Sequence, residues 1–99
     1  MNRETILMRK IMVALSKAGH FVMRTNAGVF YNTNGDRVRI GFPGLSDLVG
    51  CTSEGRFFAI EVKLPGEHPR PDQEKFLTAM RKTGAIAGCA HSIEEALDI

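Results

Sequence analysis

The sequence predicts a small α/β protein, a three-layer α/β/α sandwich whose mixed central sheet has about four core strands plus an inserted β-hairpin. The first observation is the alternation of helix-type and strand-type segments, in the order helix, strand, hairpin, strand, strand, helix, strand, helix. The second is composition: of 99 residues, 43% are hydrophobic and 24% charged, as in ordinary globular proteins. This length suits one domain, residues 1–99, and is too short for two.

The chain opens with a predicted helix over residues 3–18, which Gly19 ends. Its apolar stripe recurs at steps of three and four residues and consists of Leu7, Met8, Ile11, Leu15 and Ala18. Glu4 falls on the same stripe one turn earlier, so we expect its carboxylate to point toward the body of the protein. Residues 20–25 then have the composition of a strand.

A β-hairpin is indicated by Asn34-Gly35, a dipeptide typical of tight turns between antiparallel strands. It lies between two short strand-type segments, residues 29–31 and 37–40, which we expect to form a two-stranded arm. The arm is either a plain hairpin or a clamp that brings two basic side chains of its second strand onto phosphate, Arg37 and Arg39.

Three further strands complete the predicted sheet, and a short turn between the first two makes that pair antiparallel. They cover residues 46–51, 56–63 and 85–90. A helix over residues 71–83 precedes the last strand, because proline suits the first helical position and acidic residues suit the positive end of the helix dipole. The short closing helix begins with the capping sequence Ser92-Ile93-Glu94-Glu95.

Asp47, Glu61 and Lys63 are the candidate catalytic residues on the two antiparallel strands. Because side chains alternate faces along a strand, Glu61 and Lys63 share one side, and the short turn lets Asp47 come beside Glu61. Two carboxylates about 4 Å apart repel by roughly 4 kcal/mol at an effective dielectric of about 20. One must therefore be protonated, or a cation must lie between them. Oxygen ligands of this kind suit Mg²⁺ or Mn²⁺.

A plainer interpretation is a surface Glu–Lys pair on an edge strand, with Asp47 as a turn residue. Two other polar side chains argue against it, because Glu4 and Gln73 both lie on apolar helix stripes and are expected to point inward. In the first interpretation Lys63 orients or deprotonates a water, or stabilises charge that builds on a phosphate.

Charge and cysteine content limit the classes of function. Lys and Arg number 13 against 11 Asp and Glu, and the net charge of +2 is too small to indicate nucleic-acid binding by itself. No apolar run approaches the roughly 20 residues that span a bilayer, and the N-terminal residues lack the layout of a signal peptide. Cys51 and Cys89 have no Cys-x-x-Cys spacing, which favours reduced core residues of a cytoplasmic protein.

Basic side chains near the predicted site are candidates for phosphate contacts, although a solvated surface of mixed charge explains any one of them equally well. The nucleic-acid-binding set comprises Arg24, Asn26, Arg37, Arg39, His68, Arg70 and Lys75, with Arg81 and Lys82 as further basic candidates. A helix-end contact is expected for His20, which follows the first helix. Core filling is expected for the methionines Met8, Met12, Met23 and Met80.

Four motifs resemble the VRR-NUC family of the PD-(D/E)xK superfamily, whose members have the restriction-endonuclease-like fold. They are Asn26-Ala-Gly28, Gly44-Leu-Ser-Asp47-Leu-Val-Gly50, Glu61-Val-Lys63 and Pro71-Asp-Gln73. The resemblance covers nearly the whole chain, and the ordered set is more specific than a lone Glu-x-Lys. One departure is Ser46, which stands where the family usually has proline; since proline supplies no ligand, only the rigidity of the approach loop is in question.

The resemblance implies a role for each site residue. Asp47 and Glu61 would ligate the Mg²⁺ or Mn²⁺ cofactor with help from the Val62 backbone carbonyl, and Lys63 would be the catalytic lysine. Glu4 would act as the acidic residue of the first helix, as a ligand directly or through a water, and Gln73 would line the site. The implied reaction is metal-assisted hydrolysis of a phosphodiester.

Standalone members of this family resemble Holliday-junction resolvases, so the resemblance further implies a homodimer that cuts branched, flap or four-way DNA. It also suggests that the gene belongs to a phage or mobile element. Two other hypotheses remain: a non-catalytic nucleic-acid-binding module with the nuclease fold, and a small interaction subunit whose exposed hydrophobic residues meet a partner. The non-catalytic module would bind DNA equally well in EDTA, and the interaction subunit would have negligible affinity for DNA.

Overall fold

Three helices and six strands follow one another in the predicted order in the computed structural model, which describes residues 1–99. The elements are α1 (Arg3–Lys17), β1 (Phe21–Arg24), β2 (Gly28–Tyr31), β3 (Arg37–Ile40), β4 (Leu48–Cys51), β5 (Phe57–Val62), α2 (Pro71–Lys82), β6 (Ile86–Ala90) and α3 (Ile93–Asp98). None of the three helices has the length and hydropathy of a membrane-spanning segment.

The central sheet is mixed and has four strands in the order β1-β4-β5-β6. The β1–β4 and β4–β5 pairs are antiparallel, as the short turn between β4 and β5 requires. The β5–β6 pair is parallel, because α2 carries the chain back across the sheet before β6 begins. The predicted sandwich and its mixed sheet are thus confirmed. Strands β2 and β3 form a separate two-stranded sheet, which is the predicted hairpin.

Helices cover both faces of the central sheet. On one face the stripe of α1 packs with α3 against β4 and β5, and Met8, Ile11 and Leu15 are all buried there. On the other face α2 places Leu77 against Ala59 of β5 and Ala87 of β6. Strand β5 is therefore buried on both faces, which explains its nearly continuous run of apolar residues. The glutamate that interrupts this run is consequently buried as well.

Polar side chains cap two helix starts, and the sequence predicts the second of these caps. Asn2 accepts a hydrogen bond from the Thr5 amide at 2.8 Å, which caps α1. Ser92 accepts one from the Glu95 amide at 3.1 Å, which caps α3. Pro71 opens α2 at the position where a missing N–H costs no helical hydrogen bond.

Three predictions of burial are wrong, and two of them share a cause. Helix α2 covers β5 and β6 but leaves the same face of β1 and β4 open, so Met23 is 48% exposed and Cys51 is exposed. Neither is a core residue. Ala18 is exposed because α1 ends at Lys17 and the chain turns away from the core at this C-cap. Cys51 and Cys89 are both free thiols.

Candidate active site

The ends of β4 and β5 bring Asp47 and Glu61 together. Leu48 pairs with Ile60 across the antiparallel ladder, and the next opposed pair in this register is Asp47 and Glu61. The Oδ2 atom of Asp47 accepts a hydrogen bond from the Val62 amide at 2.9 Å. Because opposed residues of an antiparallel pair point to the same face, the two carboxylates lie side by side, as predicted.

Glu61 is the most unusual side chain of the site. It is only 1% exposed, and its Oε2 atom is buried without any hydrogen-bond partner. Burial, followed by the neighbouring Asp47 carboxyl, raises the pKa of Glu61 to about 9, although the charge of Lys63 acts in the opposite direction. In the protein alone, Glu61 therefore keeps its proton at neutral pH, because the site lacks enough positive charge to hold both carboxylates ionised.

One polar cleft of about 290 Å³ contains all five predicted catalytic side chains. Its lining includes Glu4, Asp47, Glu61, Lys63 and Gln73. Glu4 reaches it from the first turn of α1, where burial and then the charge of Asp47 raise its pKa. No group of three or more acidic, histidine or cysteine side chains is close enough together in this structure to hold a metal ion.

Gln73 has a structural role that the sequence analysis missed. It is 7% exposed, and its Oε1 atom accepts a hydrogen bond from the Arg70 amide at 2.8 Å. This bond belongs to the cap of α2, so the glutamine holds the helix start against the cleft that it also lines. Its position as the third residue of a helix that begins with proline was the available signal.

Thr25 and Ser46 hold the backbone on either side of Asp47. The Thr25 hydroxyl donates to the Ser46 carbonyl at 2.7 Å, and the Thr25 amide donates to the Asp47 carbonyl at 2.9 Å. Ser46 is fully buried, and its hydroxyl donates to the Leu48 carbonyl at 3.0 Å. The Ser46 side chain therefore holds the backbone on the other side of Asp47 through its own hydrogen bond.

Gly44 lets the loop before Asp47 pack directly against the start of α2. Its φ of +92° is unfavourable for other residues, and a Cβ atom there would lie 2.4 Å from the Asp72 carbonyl oxygen. Both residues line the cleft. The sequence shows a glycine at this place, but not the helix end that it contacts.

Two of the candidate nucleic-acid contacts, Arg39 and Arg70, line the cleft. Arg70 also forms an ion pair with Asp72, with 3.3 Å between Nε and Oδ1. The other candidates lie outside the cleft lining: Arg24, Asn26, Arg37, His68 and Lys75. His20 makes the expected helix-end contact through its amide, which donates to the Leu15 carbonyl of α1 at 3.1 Å, while its Nδ1 atom accepts a hydrogen bond from the Ser53 amide in the β4–β5 turn at 3.1 Å.

Comparisons with known proteins bear on the family and the fold of the chain. A family model described as the VRR-NUC domain matches residues 20–94. A solved structure titled as a VRR_NUC domain superposes with a TM-score of 0.73, covering 99% of this chain and 94% of its own at 19% sequence identity. At that identity the superposition supports the fold alone. No curated protein sequence matches the chain.

Proposed function

The chain belongs to the VRR-NUC domain family, a family of nuclease-type domains, and from this premise we propose that it is a Mg²⁺- or Mn²⁺-dependent endonuclease that hydrolyses phosphodiester bonds in DNA. The observation that carries the proposal is the Asp47–Glu61 pair, in which the buried Oε2 atom of Glu61 has no hydrogen-bond partner in the protein. Such an oxygen is costly for folding unless a ligand uses it.

The donor atoms of the pair suit a hard divalent cation. We assign Asp47, Glu61 and the Val62 carbonyl as protein ligands, with Glu4, which lines the same cleft, acting directly or through a water. Ligands of this type are all oxygen, which is the preference of Mg²⁺ and Mn²⁺. When bound, such an ion supplies Lewis-acid polarisation of a phosphoryl oxygen and a lower pKa for a water.

The chain's own side chains then position the substrate and a water. Lys63 shares the cleft with both carboxylates, where its ammonium group orients the water and stabilises charge on the phosphate. Arg39 and Arg70 lie at the same cleft and offset the repulsion between the carboxylates and a DNA strand. Gln73 keeps the start of α2 in place beside them.

A cleavage panel tests this function. Purified protein is incubated with single-stranded, duplex, flap and four-way DNA and with single-stranded RNA, with Mn²⁺, with Mg²⁺ and with EDTA. We expect cutting that needs a divalent ion and is fastest on branched DNA. Binding without any divalent-dependent cutting would favour the non-catalytic module, and negligible affinity at low salt would favour an interaction subunit.

We further propose that the enzyme works in the cytoplasm as a homodimer, so that two clefts face one branched substrate. Free cysteines agree with a reducing compartment. Apolar side chains that no helix covers, Phe21 and Phe57, are 67% and 39% exposed and offer a surface for a second copy. Light scattering at micromolar concentration tests the dimer, and a mass of one chain at all concentrations would contradict it.

Thr25 provides a prediction about ligand positioning. Thr25→Val keeps the shape of the side chain but removes the hydroxyl that donates to the Ser46 carbonyl. Because the bond is present without metal as well, the loss of its about 1–1.5 kcal/mol sets an upper limit of roughly tenfold on the fall in Mn²⁺ affinity, and we expect a fall within that limit. Calorimetric titration of the metal-free protein with Mn²⁺ measures it, and Thr25→Ser should restore the affinity. If Thr25→Val lowers only the melting temperature and binds Mn²⁺ normally, Thr25 does not position Asp47.

A further inference from the structure

The β2–β3 hairpin, residues 28–40, forms an arm that stands outside the sandwich. Its two strands pair only with each other and make no ladder with the central sheet. All residues from Val29 to Ile40 are exposed. The loop at the tip is closed by Asn32, whose side-chain oxygen accepts hydrogen bonds from the Asn34 and Asp36 amides. The arm is thus locally well ordered but contributes no side chain to either hydrophobic core.

The two faces of the arm differ in chemistry. Val29 lies opposite Arg39 and Tyr31 opposite Arg37, and opposed side chains of an antiparallel pair share a face. The other face carries the opposed pair Phe30 and Val38. One face is therefore basic and aromatic, and the other is apolar.

The basic face looks toward the cleft. Arg39 lines the cleft together with Asp47 and Glu61, so the face on which it lies is continuous with the candidate active site. Arg37 follows on the same face, one pleat farther toward the tip. Residues two apart along a strand lie about 6.8 Å apart, while one DNA strand carries a charge about every 3.4 Å of helix axis. The two arginines are therefore spaced to reach separate phosphates of one strand.

Neither arginine has a partner within the protein. No hydrogen bond or ion pair involves the Arg37 or Arg39 guanidinium, whereas Arg56, Arg70 and Arg81 all make side-chain hydrogen bonds. The one acidic residue of the arm, Asp36, is held in the tip loop by Asn32 at 3.3 Å. Two unpaired guanidinium groups beside an exposed tyrosine form a surface that suits a nucleic acid. Its phosphates can bind the guanidinium groups, and a base or sugar ring can stack on the tyrosine.

We propose that the arm is a DNA clamp: its basic face, Arg37, Arg39 and Tyr31, binds the sugar–phosphate backbone of the strand that leaves the cleft. This proposal rests on the proposed function in taking DNA as the partner, but it does not require cleavage. The arm then fixes how the DNA runs across the site, and it lengthens the footprint beyond the cleft itself.

The salt dependence of DNA binding tests the clamp. Fluorescence anisotropy with a labelled duplex, and with one of its strands alone, is measured in EDTA between about 50 and 200 mM salt. The slope of log K against log salt is negative, and each lost phosphate contact reduces its magnitude by about 0.9 for duplex and about 0.7 for a single strand. We expect Arg37→Gln and Arg39→Gln each to reduce the magnitude of the duplex slope by about 0.9, and the double variant to reduce it by about 1.8.

A matched control separates contact from net charge. Lys10→Gln with Lys17→Gln also removes two positive charges, but from exposed positions of α1 that lie outside the cleft. Its slope should equal that of the wild type. Equal slopes for the arm variant and this control would overturn the clamp, as would a change of oligomeric mass in the arm variant without a change of slope. If the arm variant has a shallower slope but the wild-type protein shows no divalent-dependent cleavage, the clamp is supported and the proposed nuclease function is contradicted.

Discussion

Replacing Asp47 by asparagine is expected to reduce divalent-dependent DNA cleavage by at least about 10³-fold, which corresponds to about 4 kcal/mol of barrier. The substitution removes the negative charge of Asp47, one of the two adjacent acidic side chains that are proposed to bind the cation. The fold should survive, because the asparagine oxygen can still accept the hydrogen bond that the Val62 amide donates to Oδ2 at 2.9 Å. Single-turnover cleavage of four-way DNA with Mn²⁺ measures the loss.

Binding and folding controls make this result specific. DNA affinity of Asp47→Asn in EDTA should equal or slightly exceed that of the wild type, since a negative charge has left the cleft. Asp98→Asn serves as the matched change, because Asp98 is an exposed carboxylate at the end of α3. An Asp47→Asn protein that cuts at the wild-type rate would remove the basis for the nuclease assignment.

The elements that could be predicted from the sequence are those whose signal is local. The stripe of α1, the apolar run of β5 and the proline that opens α2 each depend on residues a few positions apart. The opposition of Asp47 and Glu61 was also predictable, because a short turn leaves few registers for two antiparallel strands. Periodicity and turn length therefore contained enough information to bring the two carboxylates together.

The features that escaped prediction depend on contacts between distant segments. The Thr25 hydroxyl donates to the Ser46 carbonyl, 21 residues further along the chain. Gly44, in the loop before Asp47, packs against the backbone of Asp72 at the start of α2. Exposure of Met23 and Cys51 depends on how much of the sheet a single helix of 12 residues covers. The apolar composition of a strand cannot reveal whether α2 covers it, because it depends on the strand's own residues and not on the position of the helix.

Glu61→Gln is expected to make the metal-free protein more stable at neutral and alkaline pH while abolishing cleavage. The folded-state pKa of Glu61, about 9, lies above its ordinary value of 4.5, so its proton stabilises the fold fully below about pH 4.5. That stabilisation is lost as the pH rises through about 9, because the unfolded chain releases the proton and the folded chain retains it. Glutamine has no proton to lose and keeps a neutral, similarly shaped side chain at every pH.

Chemical denaturation in EDTA at about pH 4 and about pH 8 measures the effect. The difference in free energy of unfolding between Glu61→Gln and wild type should be near zero at the lower pH and reach several kcal/mol in favour of the variant at the higher, since each pKa unit corresponds to about 1.36 kcal/mol. Glu54→Gln, at an exposed turn position, should show no such trend. Added Mn²⁺ should raise the melting temperature of the wild type and leave that of Glu61→Gln unchanged, because the ion takes the place of the proton only where a carboxylate can release it. A variant less stable than wild type at about pH 8 would mean that Glu61 is held for packing, and its unpaired oxygen would then say nothing about a ligand.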